Sequence, residues 1–249
     1  MILKWLRPSP RPHIPAGQRA YAIGDVHGRA DLLETMMGMI AADNAGRPGA
    51  EVTLVMLGDL IDRGPASRAV VARVRAGVEW ARTIALKGNH EAIMLDVLDG
   101  NRTTVSSWLR FGGSATLASW DVNDGIILNG TIDDVIEAVR EAVTPEERAW
   151  LGRMRSCFRL GEYYFVHAGI QPGVPLDKQR DDARLWIREA FLESGKHHGA
   201  MIVHGHSIHP EVEEKFNRIG LDTGAYATGK LTAIGLEGQE RWFLTTKSE

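Results

Sequence analysis

Five short apolar runs punctuate the chain: Tyr21–Ile23, Val52–Leu57, Thr83–Leu86, Tyr163–Val166 and Met201–Val203. Most are rich in β-branched or aromatic residues, which predicts buried strands. Between the early runs the period changes. Leu32, Leu33, Met36, Met37 and Ile40 recur at three- and four-residue spacing, one face of a helix. Val70, Val71, Val74 and Val78 repeat that spacing less regularly. Strands alternating with helices predict an α/β domain. Thr144-Pro145-Glu146-Glu147 offers an N-cap, a proline at the first helical position and a capping glutamate, so a helix is expected to start there. Near the end, Lys230–Leu236 and Arg241–Thr245 alternate around Glu237-Gly238-Gln239-Glu240. This is a β-hairpin pattern, so the strand content is mixed rather than purely parallel. Residues 7–17 carry Pro8, Pro10, Pro12 and Pro15. They predict an extended arm over residues 1–19, ahead of a single domain over residues 20–249.

Composition narrows the classes. A chain of 249 residues can bury a substantial core without covalent staples. The one cysteine, Cys157, excludes an intramolecular disulfide and suits a reducing, cytoplasmic location. It reads as a buried apolar residue. The net charge of −3 gives no general attraction to nucleic acid or to an anionic membrane, so neither is expected as a partner. No apolar run approaches the roughly 18 residues of a membrane span. Met1–Leu6 breaks at Arg7-Pro8, too short for the apolar core of a signal peptide.

Each of the five strands runs into a polar cluster. Gly24-Asp25-Val26-His27-Gly28 follows the first, and Gly58-Asp59-Leu60-Ile61-Asp62-Arg63-Gly64 the second. Lys87-Gly88-Asn89-His90-Glu91, His167-Ala168-Gly169 and His204-Gly205-His206 follow the others. Ligands of open α/β sheets bind where carboxyl ends of strands meet loops, so these clusters are expected on one rim. Asp25, His27, Asp59, Asn89, His167 and His206 would converge there. Three oxygen ligands and three imidazoles suit Mn²⁺, Fe or Zn²⁺ better than Ca²⁺. Six ligands exceed the need of one catalytic metal, whereas two metals sharing a carboxylate fit the number. Asp59 lies in the middle of the set and is the expected bridge.

The blocks GDVHG (24–28), GDLIDRG (58–64), GNHE (88–91), HAG (167–169) and HGH (204–206) resemble the calcineurin-like metallophosphoesterases. More closely they resemble bacterial members of the PPP serine/threonine phosphatase family. The resemblance runs from about residue 20 to Asp222-Thr223-Gly224-Ala225. It implies a four-layer α-β-β-α sandwich, two mixed β-sheets face to face with helices outside. It implies two divalent or trivalent metal ions, with Mn²⁺ preferred and Fe or Zn as alternatives. Asp25 and His27 would ligate the first metal, Asp59 would bridge, and Asn89, His167 and His206 would ligate the second. His90 matches the general acid, Asp62 the carboxylate that orients it, and Arg63 a phosphate-binding arginine. Trp186-Ile187-Arg188-Glu189 resembles the Trp-x-Arg-Glu segment of bacterial relatives, which makes Arg188 a second phosphate clamp. The implied reaction is hydrolysis of a phosphomonoester by a hydroxide held between the metals. The implied partner is a phosphorylated protein, at serine, threonine or tyrosine, or a small phosphoester.

Two positions depart from common family patterns. Lys87 stands where many relatives have arginine, and Ile208 where wider metallophosphoesterases have histidine; the second agrees with the PPP branch. Residues 100–160, with Trp108, Phe111, Gly112, Gly113 and Trp120, match no motif and are expected to cover the site. Plainer readings stand beside these. Asp25, Asp59 and Asn89 next to glycine could each be turn residues, but five blocks in order favour ligands. Arg188 lies in a helix-like run, Leu185–Phe191, where a solvated face explains it nearly as well as phosphate binding. Strand alternation turns His204 away from His206 into the core. His197, His198 and His209 read as solvated, and Met36, Met37, Met39 and Trp186 as core. Symmetrical diadenosine tetraphosphate hydrolysis is the rival activity on the same fold. Enzymes of that kind tend to have a neutral residue at the position of Asp62 and aspartate at that of Glu91. A non-catalytic binding module is the rival from another class, but it would have lost a ligand or the acid.

Overall fold

The computed structural model describes residues 11–246. Among them ten strands form: β1 (Gln18–Ile23), β2 (Glu51–Met56), β3 (Arg82–Ala85), β4 (Cys157–Leu160), β5 (Tyr163–Val166), β6 (Met201–His204), β7 (Glu213–Glu214), β8 (Arg218–Gly220), β9 (Thr232–Glu237) and β10 (Glu240–Thr245). One sheet has the order β10-β9-β1-β2-β3 and the other β4-β5-β6-β8-β7. Both are mixed. β1, β2 and β3 pair in parallel while β9 runs antiparallel to β1 and β10. In the second sheet β5, β6 and β8 are parallel, with β4 and β7 antiparallel at its edges.

Why the central strands read as unbroken apolar runs follows from their two buried faces. Ala20, Ala22, Val55 and Leu57 face the other sheet, where they meet Tyr163, Phe165, Met201 and Val203. Tyr21, Ile23, Leu54 and Met56 point the opposite way into a layer of helices. Tyr164, Val166 and Ile202 do the same on the far side, against Ile170 and Phe191. Two sheets face to face with outer helical layers are the four-layer α/β sandwich that the sequence led us to expect.

Helix α1 (Ala30–Ala45) buries Leu32, Leu33, Met36, Met37 and Ile40, the predicted face. Helix α2 (Ser67–Ala76) buries Val70, Val71 and Val74. Val78 lies outside it, because Gly77 at φ +69° ends the helix and Val78 bridges to Ala81. Helix α3 (Asn89–Leu98) starts just beyond the carboxyl end of β3. Five helices follow: α4 (Arg102–Trp108), α5 (Ser114–Ser119), α6 (Asp124–Asn129), α7 (Ile132–Ala142) and α8 (Pro145–Gly152). A π-helical turn, Leu109–Gly113, joins α4 to α5. Thr144 caps α8 as predicted, exchanging hydrogen bonds with Glu147. The hairpin β9–β10 closes through Gly238 and Gln239, with Gly238 at φ +52°.

Other expectations need correction. The run Leu185–Phe191 is not one helix. The chain breaks at Ile187 and Arg188, between helical turns Asp181–Trp186 and Glu189–Leu192. Ile187 and Phe191 take the places in the apolar cluster, which leaves Trp186 47% exposed rather than in the core. Met39 and Cys157 are half-buried, and so are His198 and His209. Residues 1–10, with Pro8 and Pro10 of the expected arm, and 247–249 lie outside the described residues. Residues 11–17 form no helix or strand, but Ile14 is buried and its N–H donates to Gly238 O at 2.8 Å. Among the described residues no helix is long and apolar enough to cross a membrane.

His204 lies in the core, as alternation predicted, with its ring wholly buried against Phe191. Burial lowers its pKa from 6.5 to about 4, while its Nδ1–H bond to Gly205 O works the other way. The unfolded chain therefore takes up a proton that the folded chain refuses, and stability is lost as pH falls from about 6.5 toward about 4. Replacing His204 with Phe should remove about 2 kcal/mol of the stability difference between about pH 7.5 and pH 5, read by urea unfolding. Identical pH slopes in the two proteins would contradict this.

Candidate dinuclear metal centre

The clusters that follow β1, β2, β3, β5 and β6 meet at the carboxyl ends of both sheets. Loop-to-loop hydrogen bonds assemble them. Val26 and His27 donate their N–H groups to Asp59 O at 3.2 and 2.9 Å, and Gly28 N–H donates to Leu60 O at 2.9 Å. Gly205 is required by proximity: a Cβ there would collide with the Asp25 carboxylate. Glu91 joins the second and third loops. Its buried carboxylate accepts from the N–H groups of Gly88, Asp59 and Leu60 at 2.8, 2.9 and 2.7 Å. Burial and the Asp59 charge push its pKa up to about 7 against the pull of those donors.

Asp59 lies at the centre. Its Oδ2 is 3.5 Å from His27 Nε2, and its Oδ1 is 3.4 Å from His167 Nε2. The two carboxylate oxygens thus face different imidazoles, the disposition a bridging ligand needs. His27 Nδ1–H donates to Ile61 O at 2.8 Å and His167 Nδ1–H to Leu57 O at 2.9 Å. Both bonds leave Nε2 with its lone pair turned inward. Asn89 Oδ1 is 2.9 Å from both His167 Nε2 and His206 Nδ1. Asp25 Oδ2 accepts from His206 N–H at 2.9 Å, while Asp25 Oδ1 is buried with no hydrogen-bond partner. Such an orphaned carboxylate oxygen is costly unless a cation meets it.

Electrostatics agree with a cation site. Burial, then the Asp222 and Asp59 charges, raise the pKa of Asp25. Burial lowers His27 to about 3 and His206 to about 2, so these imidazoles are neutral, the form that ligates. Burial opposes ionisation of Asp59, but its imidazole neighbours, His167 first, hold its pKa below the ordinary value. Among the described residues two groups could hold a metal ion: Asp59 with His27 and His90, and Asp59 with His167 and His206. His90 is otherwise engaged. Its Nδ1–H donates to Asp62 Oδ2 at 2.6 Å and its Nε2 accepts from Arg63 Nη2 at 3.2 Å. Both ring nitrogens are hydrogen-bonded, which leaves Asp25 with its orphaned oxygen as the better partner for His27 and Asp59. The donor set fits two metal ions.

The family profile of the calcineurin-like phosphoesterases matches residues 19–227. This chain belongs to that family. Its buried His/Asp cluster suits divalent metal ions. Serine/threonine-protein phosphatase 1 of Salmonella typhimurium is 27% identical to it over 227 residues, covering 88% of this chain and 93% of that protein. The symmetrical bis(5'-nucleosyl)-tetraphosphatase of Dechloromonas aromatica is 29% identical over 165 residues, covering 66% of this chain and 48% of that protein. The chain thus spans about half the length of the symmetrical tetraphosphatase. A crystal structure provisionally described as a diadenosine tetraphosphatase superposes with a TM-score of 0.63 at 19% identity, covering 96% of this chain and 100% of the other. At that identity the likeness speaks for the fold alone.

All six expected ligands of the phosphoesterase sit on this rim, with His90, Asp62 and Arg63. Arg188 is exposed and stands at the helix break rather than on a helix face. Its charge reaches the site, where it adds to the burial that lowers His167 and His206. Several site residues escaped sequence reasoning. The Tyr226 ring lies edge-on to His27 at 5.5 Å and under the Arg63 guanidinium at 4.6 Å. Asp222 is buried beside Asp25; burial lifts its pKa to about 6. Only their place in or next to the Asp222-Thr223-Gly224-Ala225 block pointed to them. Trp108 Nε1 donates to both Asp62 oxygens at 3.2 and 3.1 Å, and Thr116 Oγ1 donates to Asp62 Oδ1 at 2.5 Å. Residues 100–160 therefore reach the site from behind Asp62.

Two outcomes are expected. Exhaustive chelation should abolish phosphoester turnover and a divalent metal should restore it; full turnover by metal-free protein, verified by elemental analysis, would refute the centre. Glu91→Ala removes the acceptor of four buried N–H groups, those of Gly88, Asp59, Leu60 and Ile61, at about 1–3 kcal/mol for each left unpaired, so stability should fall by about 3 kcal/mol or more. Chemical denaturation measures this, and a change under about 1 kcal/mol would contradict the tie between loops.

Proposed function

We propose that this phosphoesterase removes phosphate from serine and threonine residues of proteins, with Mn²⁺ as its metal and the cytoplasm as its compartment. The observation that carries this reading is the buried Asp62–His90 hydrogen bond of 2.6 Å beside Arg63. An alkoxide of serine or threonine is a poor leaving group and needs a proton as it departs. A nucleotide phosphate departs readily as an anion and needs less help.

In this reading Asp25, His27 and Asp59 hold one ion, and Asp59, Asn89, His167 and His206 the other. When bound, the ions polarise the phosphoryl oxygens and lower the pKa of the attacking water. Arg63 and Arg188 grip phosphoryl oxygens, for which guanidinium forks are suited. Arg63 rests on Tyr226 and on His90 Nε2; moving to a phosphoryl oxygen, it frees that nitrogen. His90 keeps Nδ1–H on Asp62, takes up a proton from water at the freed Nε2 and passes that proton to the leaving oxygen. Burial works against a charged imidazole, but the Asp59 charge and the Asp62 bond hold the His90 pKa above its ordinary value. Asp62 also adds negative charge behind the cleft, which disfavours a second polyanionic arm.

The near full-length match to the Salmonella phosphatase supports this reading. Hydrolysis of symmetrical dinucleoside tetraphosphates is the second reading, supported by the match to the Dechloromonas enzyme over part of its length. The test is kcat/KM on a phosphoserine peptide and on diadenosine tetraphosphate, in the native enzyme and in Asp62→Asn. The native enzyme should prefer the phosphopeptide, and the substitution should cost that substrate roughly 10²-fold or more while costing the dinucleotide less. A native enzyme that cleaves the dinucleotide far better selects the second reading.

A further inference from the structure

The turn Asp62-Arg63 is held in an unusual backbone state, and the clamp on it comes from elsewhere in the chain. Both residues adopt left-handed φ, at 71° and 70°. Non-glycine residues take that state only when their surroundings impose it. Here Asp62 N–H donates to Ser67 Oγ at 3.0 Å and to Thr116 Oγ1 at 2.9 Å, and Arg63 N–H donates to Gly112 O at 3.3 Å. The Asp62 carboxylate is fully buried and meets donors on every side: His90 and Trp108 at Oδ2, Thr116 and Trp108 at Oδ1.

Gly112 lies in the kinked turn Leu109–Gly113 between α4 and α5, with Trp108 just before it and Thr116 just after. Gly112 at φ +117° aims its carbonyl at Arg63, and a Cβ there would press within 2.5 Å of the Arg63 nitrogen. A Cβ on Gly113 would come within 2.5 Å of the Trp108 ring. These two glycines are what lets the turn fold against both the indole and the Asp62-Arg63 backbone.

We infer that Trp108 and Thr116 are positioning residues for proton donation: they lock the Asp62 carboxylate in the orientation that aims His90 at the leaving oxygen. This rests on the reading of His90 as the proton donor given above. Without the indole N–H or the threonine hydroxyl, Asp62 can rotate and His90 loses its fixed aim. Neither side chain hydrogen-bonds a proposed metal ligand or the Arg63 guanidinium.

The experiment uses the metal-loaded enzyme with Trp108→Phe, Thr116→Val, Thr116→Ser and His90→Asn. Each is assayed on p-nitrophenyl phosphate, whose leaving group needs little protonation, and on a phosphoserine peptide, whose leaving group needs much. Trp108→Phe and Thr116→Val should each lower kcat on the phosphopeptide by roughly 10- to 100-fold, with smaller losses on p-nitrophenyl phosphate and KM nearly unchanged. Thr116→Ser, which keeps the donor, should retain native kcat. Thermal melts identify any variant that fails to fold, and Thr116→Val carries the test if Trp108→Phe does. Equal losses on both substrates, losses confined to KM, or full activity in the folded variants would overturn the inference. His90→Asn separates the two failures. If it shows no leaving-group dependence, the proton-donor reading falls; if it does and the folded variants do not, the positioning role alone falls.

Discussion

The carboxylate of Glu91 is buried between two loops and binds both through their backbone N–H groups. The loops after β2 and β3, which carry Asp59, Asp62, Asn89 and His90, depend on that contact. It bends the chain after β2 so that Asp59 enters the left-handed region at φ 48° and turns both oxygens into the site. The first loop then docks on Asp59 O, which positions His27. Asn89 and His90 belong to the helix that Glu91 itself opens, so the same side chain that shapes the second loop orients the third. A buried acid without these donors would cost several kcal/mol; with them it becomes a fixed joint between two strands of one sheet.

Backbone strain marks the same place. Among the described residues six non-glycine positions have positive φ, and five of them are His27, Asp59, Asp62, Arg63 and His206. A left-handed residue costs on the order of 1–3 kcal/mol unless neighbours impose it. Concentrating that cost at one rim is tolerable because the sheets beneath are apolar on both faces and the strand ends are anchored. Stability made between the sheets is thus spent in holding side chains where their own backbone preferences would not put them.

How much of this was legible in the sequence follows from how local each feature is. The central strands, α1 and the capped start of α8 were legible because period, caps and apolar runs sit within a few residues. The ligand blocks were legible because each is one strand end with its loop. Strands β4 and β8 were not: Cys157–Leu160 and Arg218–Gly220 are short, carry an arginine each, and become strands only by pairing with β5 and β6. Trp186 misled because an indole usually seeks the core, yet the break at Ile187 and Arg188 gives those core places to Ile187 and Phe191. Trp108, Thr116 and Tyr226 were out of reach for a different reason. Each acts on a residue 46 or more positions away, and no spacing in the chain encodes such a contact.

The charge pattern of the rim ties metal binding to folding. Asp25, Asp59 and Asp222 are buried together, and burial plus mutual repulsion raise the pKa values of Asp25 and Asp222. Burial lowers the pKa values of the neighbouring imidazoles His27, His167 and His206, so they offset that charge poorly. Arg63 and Arg188 supply positive charge only from the open side, where substrate must also arrive. The folded protein therefore carries a concentrated demand for cations that the unfolded chain, with its carboxylates in water, does not share. A ligand that binds the folded form alone stabilises it in proportion to the logarithm of its occupancy. Metal ions at this rim would relieve the repulsion, meet the orphaned oxygen of Asp25 and hold the strained loops in register. A centre filled in this way would also be a structural joint between the two sheets.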